Sequence, residues 1–255
     1  MNIIVIVKHV PDLVEELEIA EDGKDLNRDF LKFVVNEFDD QALEQALLLK
    51  EKGGGTITAV ALDAPEIDQT LFTCLAKGAD KAVKIVGDLE GRVTSHAAAH
   101  MLADALKAMS HDLILTGVQS AEDLDGQVGP LLATYLGEPH VSVVTGVEAR
   151  GQMVVVRQEY AGGVTGEFEV DLPAVLGIQA APQPPRYAPI SRVRATMKEK
   201  KLVEIQAAAA DGAGLNVRQM VRPQVASHAE MIEGNTDTVV ERIVGIMAER
   251  GLMNG

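Results

Sequence analysis

Apolar positions along this chain follow two rhythms. Residues 2–8, NIIVIVK, form a β-branched apolar run that predicts a strand, and after an acidic excursion residues 39–52 place Leu43, Ala46 and Leu47 at helical spacing. Three glycines, 53–55, break that helix, and TITAVAL (56–62) is a continuously apolar run of the kind buried in parallel sheets. The alternation continues with a helix over 66–77 ending at Gly78, a strand over 82–86, a helix over 94–109, a strand over 112–116, a helix over 127–136 and a short strand over 140–144. Strands alternating with helices predict βαβ units around a parallel sheet.

After about residue 145 the period becomes two. MVVVRQEY (153–160), the turn-like Ala161-Gly162-Gly163 and GEFEVDL (166–172) predict an antiparallel hairpin, and AVLGIQ (174–179) returns to the sheet. The predicted fold class is therefore α/β: a doubly wound, mostly parallel sheet with a β-hairpin excursion. In 180–191 prolines at 182, 184, 185 and 189 exclude regular helix and favour an extended, exposed strap. Residues 186–201 then carry Arg186, Arg192, Arg194, Lys198, Lys200 and Lys201 against Glu199, a local basic patch able to steer an acidic partner. A low-complexity stretch, AAAADGAG (207–214), precedes a C-terminal helix over 236–251, N-capped by Thr236 or Asp237, whose Val240, Ile243, Val244 and Met247 make one apolar stripe. That stripe needs a surface to dock on, either this chain's own domain or a partner subunit.

Composition narrows the function. The chain has 255 residues, 47% of them apolar, enough for a substantial core. Its formal net charge of −15 argues against a nucleic-acid partner, because binding phosphate backbones takes clustered Lys and Arg. The apolar run Ile3–Val7 is too short to span a bilayer and no basic segment precedes an apolar leader, so a cytoplasmic protein without stable membrane insertion is expected. The single cysteine, Cys74, fits a reducing compartment and core packing.

In an open parallel sheet, ligands bind beyond the carboxyl ends of the strands where strand order reverses. The loop after the fourth strand of the βα alternation, Thr116 to Pro130, carries Gly117, Gly126 and Gly129, and a helix starting near Gln127 would aim free N–H groups at a phosphate. It reads as a nucleotide-phosphate cradle or as a plain turn. Neither GxGxxG nor GxxxxGK[ST] occurs, His96 and His100 lack the Glu of HExxH and a third ligand, and no GxSxG elbow is present. The sequence offers no catalytic side-chain constellation and no metal site, which fits a binding or carrier role, not an enzyme.

Six segments together resemble the electron-transfer flavoprotein beta family, in order along almost the whole chain: VKHVPD (7–12), NEFDDQALEQALLLKE (36–51), CLAKGADKAV (74–83), TGVQSAEDLDGQVG (116–129), EYAGGVTGEFEVDLPAV (159–175) and PRYAPI (185–190). The resemblance implies an adenine-nucleotide-binding fold, a heterodimer with a larger alpha subunit, an AMP held by this subunit, and an FAD shared with the partner that carries electrons from a flavin-dependent dehydrogenase. Carried over by motif, cofactor contacts fall on Ile6, on Asn36, Glu37, Phe38 and Asp39, and on the loop residues Gly117, Val118, Gln119, Ser120, Ala121, Glu122, Asp123, Leu124, Asp125, Gly126, Gln127 and Val128; Phe38 matches an aromatic position beside the flavin ring. Glu159 matches a carboxylate that pairs with an Arg of the large subunit, and Ile190 stands where a Leu anchors the dehydrogenase. The organisation that follows is a nucleotide-binding domain with its hairpin over 1–190, a partner-recognition strap over 185–201, and an arm and helix over 202–255 that dock on the partner. Gly126 and Val128 replace the Asn and Thr of many members. QVGP (127–130) also resembles electron-bifurcating members with a second FAD in place of AMP. That role, and a free-standing nucleotide-binding stress-type protein, stand as alternatives.

Overall fold

Parallel strands buried on both faces leave no polar side to expose, and the apolar runs resolve accordingly. The computed structural model describes residues 1–29, 31–87, 93–123, 125–207, 217–223, 229 and 231–253. The chain divides into two compact units, Met1–Arg218 and Gln219–Gly255.

In the first unit the elements run β1 (Asn2–Ile6), β2 (His9–Pro11), β3 (Phe33–Val35), α1 (Glu37–Gly53), β4 (Thr56–Leu62), α2 (Ile67–Lys77), β5 (Lys81–Val86), α3 (Ser95–Leu106), β6 (Leu113–Gly117) and α4 (Val128–Leu136). They continue with β7 (His140–Arg150), β8 (Met153–Glu159), β9 (Thr165–Asp171), β10 (Ala174–Ile178), α5 (Ile190–Glu199) and β11 (Val203–Gln206). A nine-stranded sheet has the order β11-β5-β4-β1-β6-β10-β7-β8-β9. Pairing is parallel from β11 to β7 and antiparallel from β7 to β9. After β1 the chain winds outward through β4 and β5; β6 then starts on the other side of β1. Strand order reverses between β1 and β6.

Period-two alternation sends Ile3, Val5 and Val7 to one face, where Leu43, Ala46 and Leu47 of α1 and Leu71, Cys74 and Leu75 of α2 cover them. It sends Ile4 and Ile6 to the other, under Met101, Leu102 and Leu106 of α3 and Leu132 of α4. Each such fully buried Leu, Ile or Met contributes about 1.5–3 kcal/mol of transfer free energy. The fold class read from the sequence, α/β with a mostly parallel sheet, is what the structure has.

Four details of the first unit differ from the sequence reading. The strand expected over 140–144 runs to Arg150, because Val143, at φ 57°, makes a bulge where register with β10 shifts, and beyond it β7 pairs antiparallel with β8. The acidic excursion holds a two-stranded ribbon, β2 with β3, whose three-residue strands carry no readable alternation. Residues 203–206, expected in an arm, form β11 at the sheet edge beside β5. The strap expected to run extended over 180–191 ends at Pro189. There Pro189, at φ −65° and ψ 149°, caps α5, and the ten residues Ile190–Glu199 contain no proline to interrupt a helix.

The second unit contains α6 (Thr236–Glu249). Its N-cap is Asn235, not Thr236 or Asp237: Asn235 is extended and its Oδ1 accepts the Thr238 N–H at 3.0 Å. Val240, Ile243, Val244 and Met247 are exposed along one face of the helix. Residues 208–214 of the low-complexity stretch lie outside the described residues.

Candidate functional site

The reversal of strand order leaves a crevice beyond the carboxyl ends of β1 and β6, and side chains from the start of α1 tie its walls together. Asp39, in the first turn of α1, is buried; its Oδ2 accepts the Lys8 N–H at 2.7 Å just past β1, and its Oδ1 accepts the Gly117 N–H at 2.9 Å at the end of β6. Burial pushes this carboxyl up to about 7, against the pull of the Lys8 charge and of bonds from Lys8, Asn36 and Gly117. Asn36 adds two more ties, donating its backbone N–H to Lys8 O at 3.0 Å and its amide Nδ2 to Gln119 O at 2.9 Å. The helix start comes so close to β6 that a Cβ on Gly117 would lie 2.4 Å from Asp39 Oδ1 and 2.7 Å from Phe38 Cβ.

The loop after β6 is held open by its own acids. Asp123 Oδ1 accepts the Ser120 N–H at 2.7 Å and the Ser120 hydroxyl, while its Oδ2 pairs with Lys8 Nζ across the cleft. Asp125 accepts the Ser95 hydroxyl at 3.0 Å and the Gln127 N–H at 3.3 Å. Gly126 turns at φ 61°, and a Cβ there would stand 2.7 Å from Val118 O. α4 then begins at Val128 without a side-chain cap. Its first-turn N–H groups at Val128 and Gly129 have no intrahelical acceptor, and Pro130 has no N–H to offer. Beside Gly129 two buried polar atoms, Thr116 Oγ1 and His140 Nε2, have no hydrogen-bond partner among the described residues. Burial also lowers the His140 pKa, against the pull of the bond to the Val175 carbonyl.

These residues line a cleft open to solvent. Of the positions singled out in the sequence, Ile6, Asn36 and Asp39 line it from the β1 side, and Gly117, Val118, Gln119, Ser120, Asp123, Gly126 and Val128 from the β6 side. Glu37 is exposed and Phe38 half-buried at the start of α1; Ala121, Glu122, Asp125 and Gln127 lie along the loop without lining the cleft, and Leu124 lies outside the described residues. Lys8 and Thr116 line it and were not singled out. An uncapped helix start, two close backbone approaches, one ammonium group and an unpartnered buried hydroxyl fit a nucleotide phosphate.

Glu159 and Ile190 stand on other elements. Glu159 ends β8, exposed, opposite Thr165. Ile190, 66% exposed, opens α5. The strap before it is fastened to α1: Ala181 N–H donates to Gln41 Oε1 at 2.9 Å, and Arg186 gives Glu44 its backbone N–H at 2.9 Å and a guanidinium fork at 2.8 and 3.0 Å. Burial pushes the Glu44 carboxyl up, but the Arg186 bonds outweigh it and hold the group below its usual range. Elsewhere chemistry is sparse. Among the described residues no cluster of His, Cys, Asp and Glu is placed to hold a metal. Cys74 is fully buried and pushed up to about 12, too high to supply a reactive thiolate. No described helix is long and apolar enough to cross a membrane.

Comparison with known proteins decides the family. The electron transfer flavoprotein domain model matches residues 26–211. The chain is 34% identical over 261 residues to the electron transfer flavoprotein subunit beta of Methylophilus methylotrophus, covering 98% of each chain. This chain belongs to the electron transfer flavoprotein beta-subunit family. It is also 29% identical over 240 residues to the subunit beta of Clostridium acetobutylicum, covering 94% of this chain and 92% of that one. To the acryloyl-CoA reductase electron transfer subunit gamma of Anaerotignum propionicum it is 27% identical over 266 residues, covering 98% and 99%. A role in electron transfer, association with flavin and an alpha-subunit partner come with this membership.

Proposed function

We propose that this chain is the small subunit of a heterodimeric electron-transfer flavoprotein that binds AMP in the cleft at the β1–β6 switch point and helps the large subunit hold one FAD. The flavin supplies the one- and two-electron chemistry, and this chain acts as a carrier subunit without catalytic side chains of its own. The observation that carries the nucleotide assignment is the uncapped start of α4, facing a cleft whose walls are tied by Asp39. Backbone N–H groups of Val128 and Gly129 and the dipole of α4 hold the phosphate; Asn36 and Asp39 keep the two strand ends at fixed spacing. Phe38 is half-buried beside Gly117, and the family resemblance assigns it to the flavin ring.

Two surfaces complete the reading. The strap and α5 dock a flavin-dependent dehydrogenase, with Ile190 as apolar anchor and Arg192, Arg194 and Lys198 steering encounter with an acidic surface. Glu159 pairs with an Arg of the large subunit, and the α6 stripe docks on that subunit. Co-expression with the large subunit tests the proposal: a one-to-one heterodimer with a flavin absorption spectrum is expected, and a flavin-free monomer that ignores the large subunit in light scattering would overturn it. A second FAD in the cleft is the competing reading, favoured by the missing polar side chains at Gly126 and Val128.

A further inference from the structure

Charge in the cleft is unbalanced. Among the described residues that line it, Lys8 is the one cation, while Asp39 and Asp123 are both acids. Asp39 is turned toward backbone N–H groups, so the ammonium group faces Asp123. An anion arriving at the start of α4 therefore meets a cation already engaged by a carboxylate.

The two halves of that pair are held differently. Asp123 is fixed on its loop: its Oδ1 takes the N–H and the hydroxyl of Ser120, and its own N–H lies 3.2 Å from Ser120 Oγ. Removing Lys8 from it would still leave two donors on the carboxylate. Lys8 is anchored only at its backbone, where its N–H meets Asp39 and its carbonyl accepts from Asn36. The four-carbon stem beyond has rotatable bonds through which the ammonium group can be redirected, and with side chains 29% and 14% exposed the pair is part-buried. Opening a part-buried pair costs more than opening one at the surface, so Lys8 leaves Asp123 only for another anion that takes the carboxylate's place.

We propose that Lys8 and Asp123 form a phosphate-responsive latch across the cleft, with Lys8 Nζ leaving Asp123 for the nucleotide phosphate and Asp123 setting the affinity by competing for it. This rests on the reading of the cleft as an AMP site and adds its control. The latch is selective: it acts on a ligand that carries phosphate and is indifferent to the same nucleoside without one. It also gives the two residues opposite signs, which no shared packing role would do. Neutralising Asp123 releases Lys8 and removes a repelling charge; neutralising Lys8 removes the attraction and leaves Asp123 facing the anion.

The test is calorimetric titration of the heterodimer, depleted of nucleotide by dialysis, with AMP and with adenosine. Asp123→Asn is expected to tighten AMP about tenfold, equivalent to about 1.4 kcal/mol, and Lys8→Met to weaken it about tenfold. Adding Asp123→Asn to Lys8→Met should recover part of the loss. Adenosine binding should stay within about twofold of wild type throughout, because adenosine carries no phosphate charge. Weaker AMP binding by Asp123→Asn, or equal shifts for AMP and adenosine in either variant, would overturn the latch while leaving the AMP site standing. Wild-type protein that binds neither ligand would overturn the AMP reading and the latch with it. Should Lys8→Met fail to fold, the sign of the Asp123→Asn shift alone decides.

Discussion

Replacing Gly117 by Ala probes the joint on which the cleft depends. The added methyl would lie 2.4 Å from Asp39 Oδ1, 2.7 Å from Phe38 Cβ and 2.9 Å from Asp39 N. None of these is the loose end of a flexible side chain: Asp39 Oδ1 is held by the Gly117 N–H itself, and the other two belong to the first turn of α1. Relief requires the start of α1 to retreat from β6. Overpacking of this kind costs about 1–3 kcal/mol, and weakening the two N–H bonds to a buried carboxylate adds about 1 kcal/mol or more. A total of about 2–4 kcal/mol corresponds, for a unit of this size, to a fall in melting temperature of about 4–16 °C. Because Asn36 and Asp39 retreat together, AMP should bind at least about tenfold more weakly, a loss of about 1.4 kcal/mol. Gly53→Ala is the control, since nothing lies within 4 Å of its added methyl. Thermal melts and AMP titrations of both variants check this. A Gly117→Ala protein that melts with wild type and binds AMP equally would refute the claim that this close approach holds the cleft in shape.

Other perturbations separate the surfaces from the scaffold. Ile190→Ala should leave the melting temperature and flavin content unchanged and remove most electron transfer from the physiological dehydrogenase, while reduction by dithionite persists; a lowered melting temperature with normal transfer would place Ile190 in packing instead. Glu44→Gln leaves the Arg186 fork with a neutral partner and should cost about 1–3 kcal/mol in urea unfolding, with strap amides exchanging hydrogen faster. The Asp39 pKa is raised in the folded state to about 7, so folding favours its protonated form. Its contribution is fullest below the unfolded value of about 3.9 and is lost as pH rises toward about 7; Asp39→Asn should show a flatter stability profile between those limits in urea unfolding.

The elements that could be read from the chain are those whose signal is local. Continuous apolar runs such as TITAVAL and DLILT sit between helices with 3.6-residue periodicity, and each became a sheet strand. The loop after β6 and the segment Asn36–Asp39 were recognisable, as a glycine-rich strand-to-helix turn and by family resemblance. Their meeting depends on which strands lie side by side. Lys8 and Thr116 escaped notice for that reason: Lys8 finds Asp123, 115 residues away, only because β1 and β6 are neighbours, and Thr116 reads as one more strand residue until its hydroxyl is found buried and unpartnered. β11 has four residues, of which Glu204 alone is charged and pairs with Lys84 of β5, and is too short for periodicity to register. The helical start at Ile190 was hidden because the prolines before it, correct signals for an extended strap, do not say where the strap stops; Pro189 serves as its last extended residue and as the cap of α5.

On the proposed reading AMP, not a second flavin, occupies the cleft of a flavoprotein heterodimer. Acid release of bound nucleotides from the purified heterodimer, counted by chromatography with mass detection against the protein concentration, tests it most directly. One FAD and one AMP per heterodimer are expected, and two FAD with no AMP would overturn the AMP assignment.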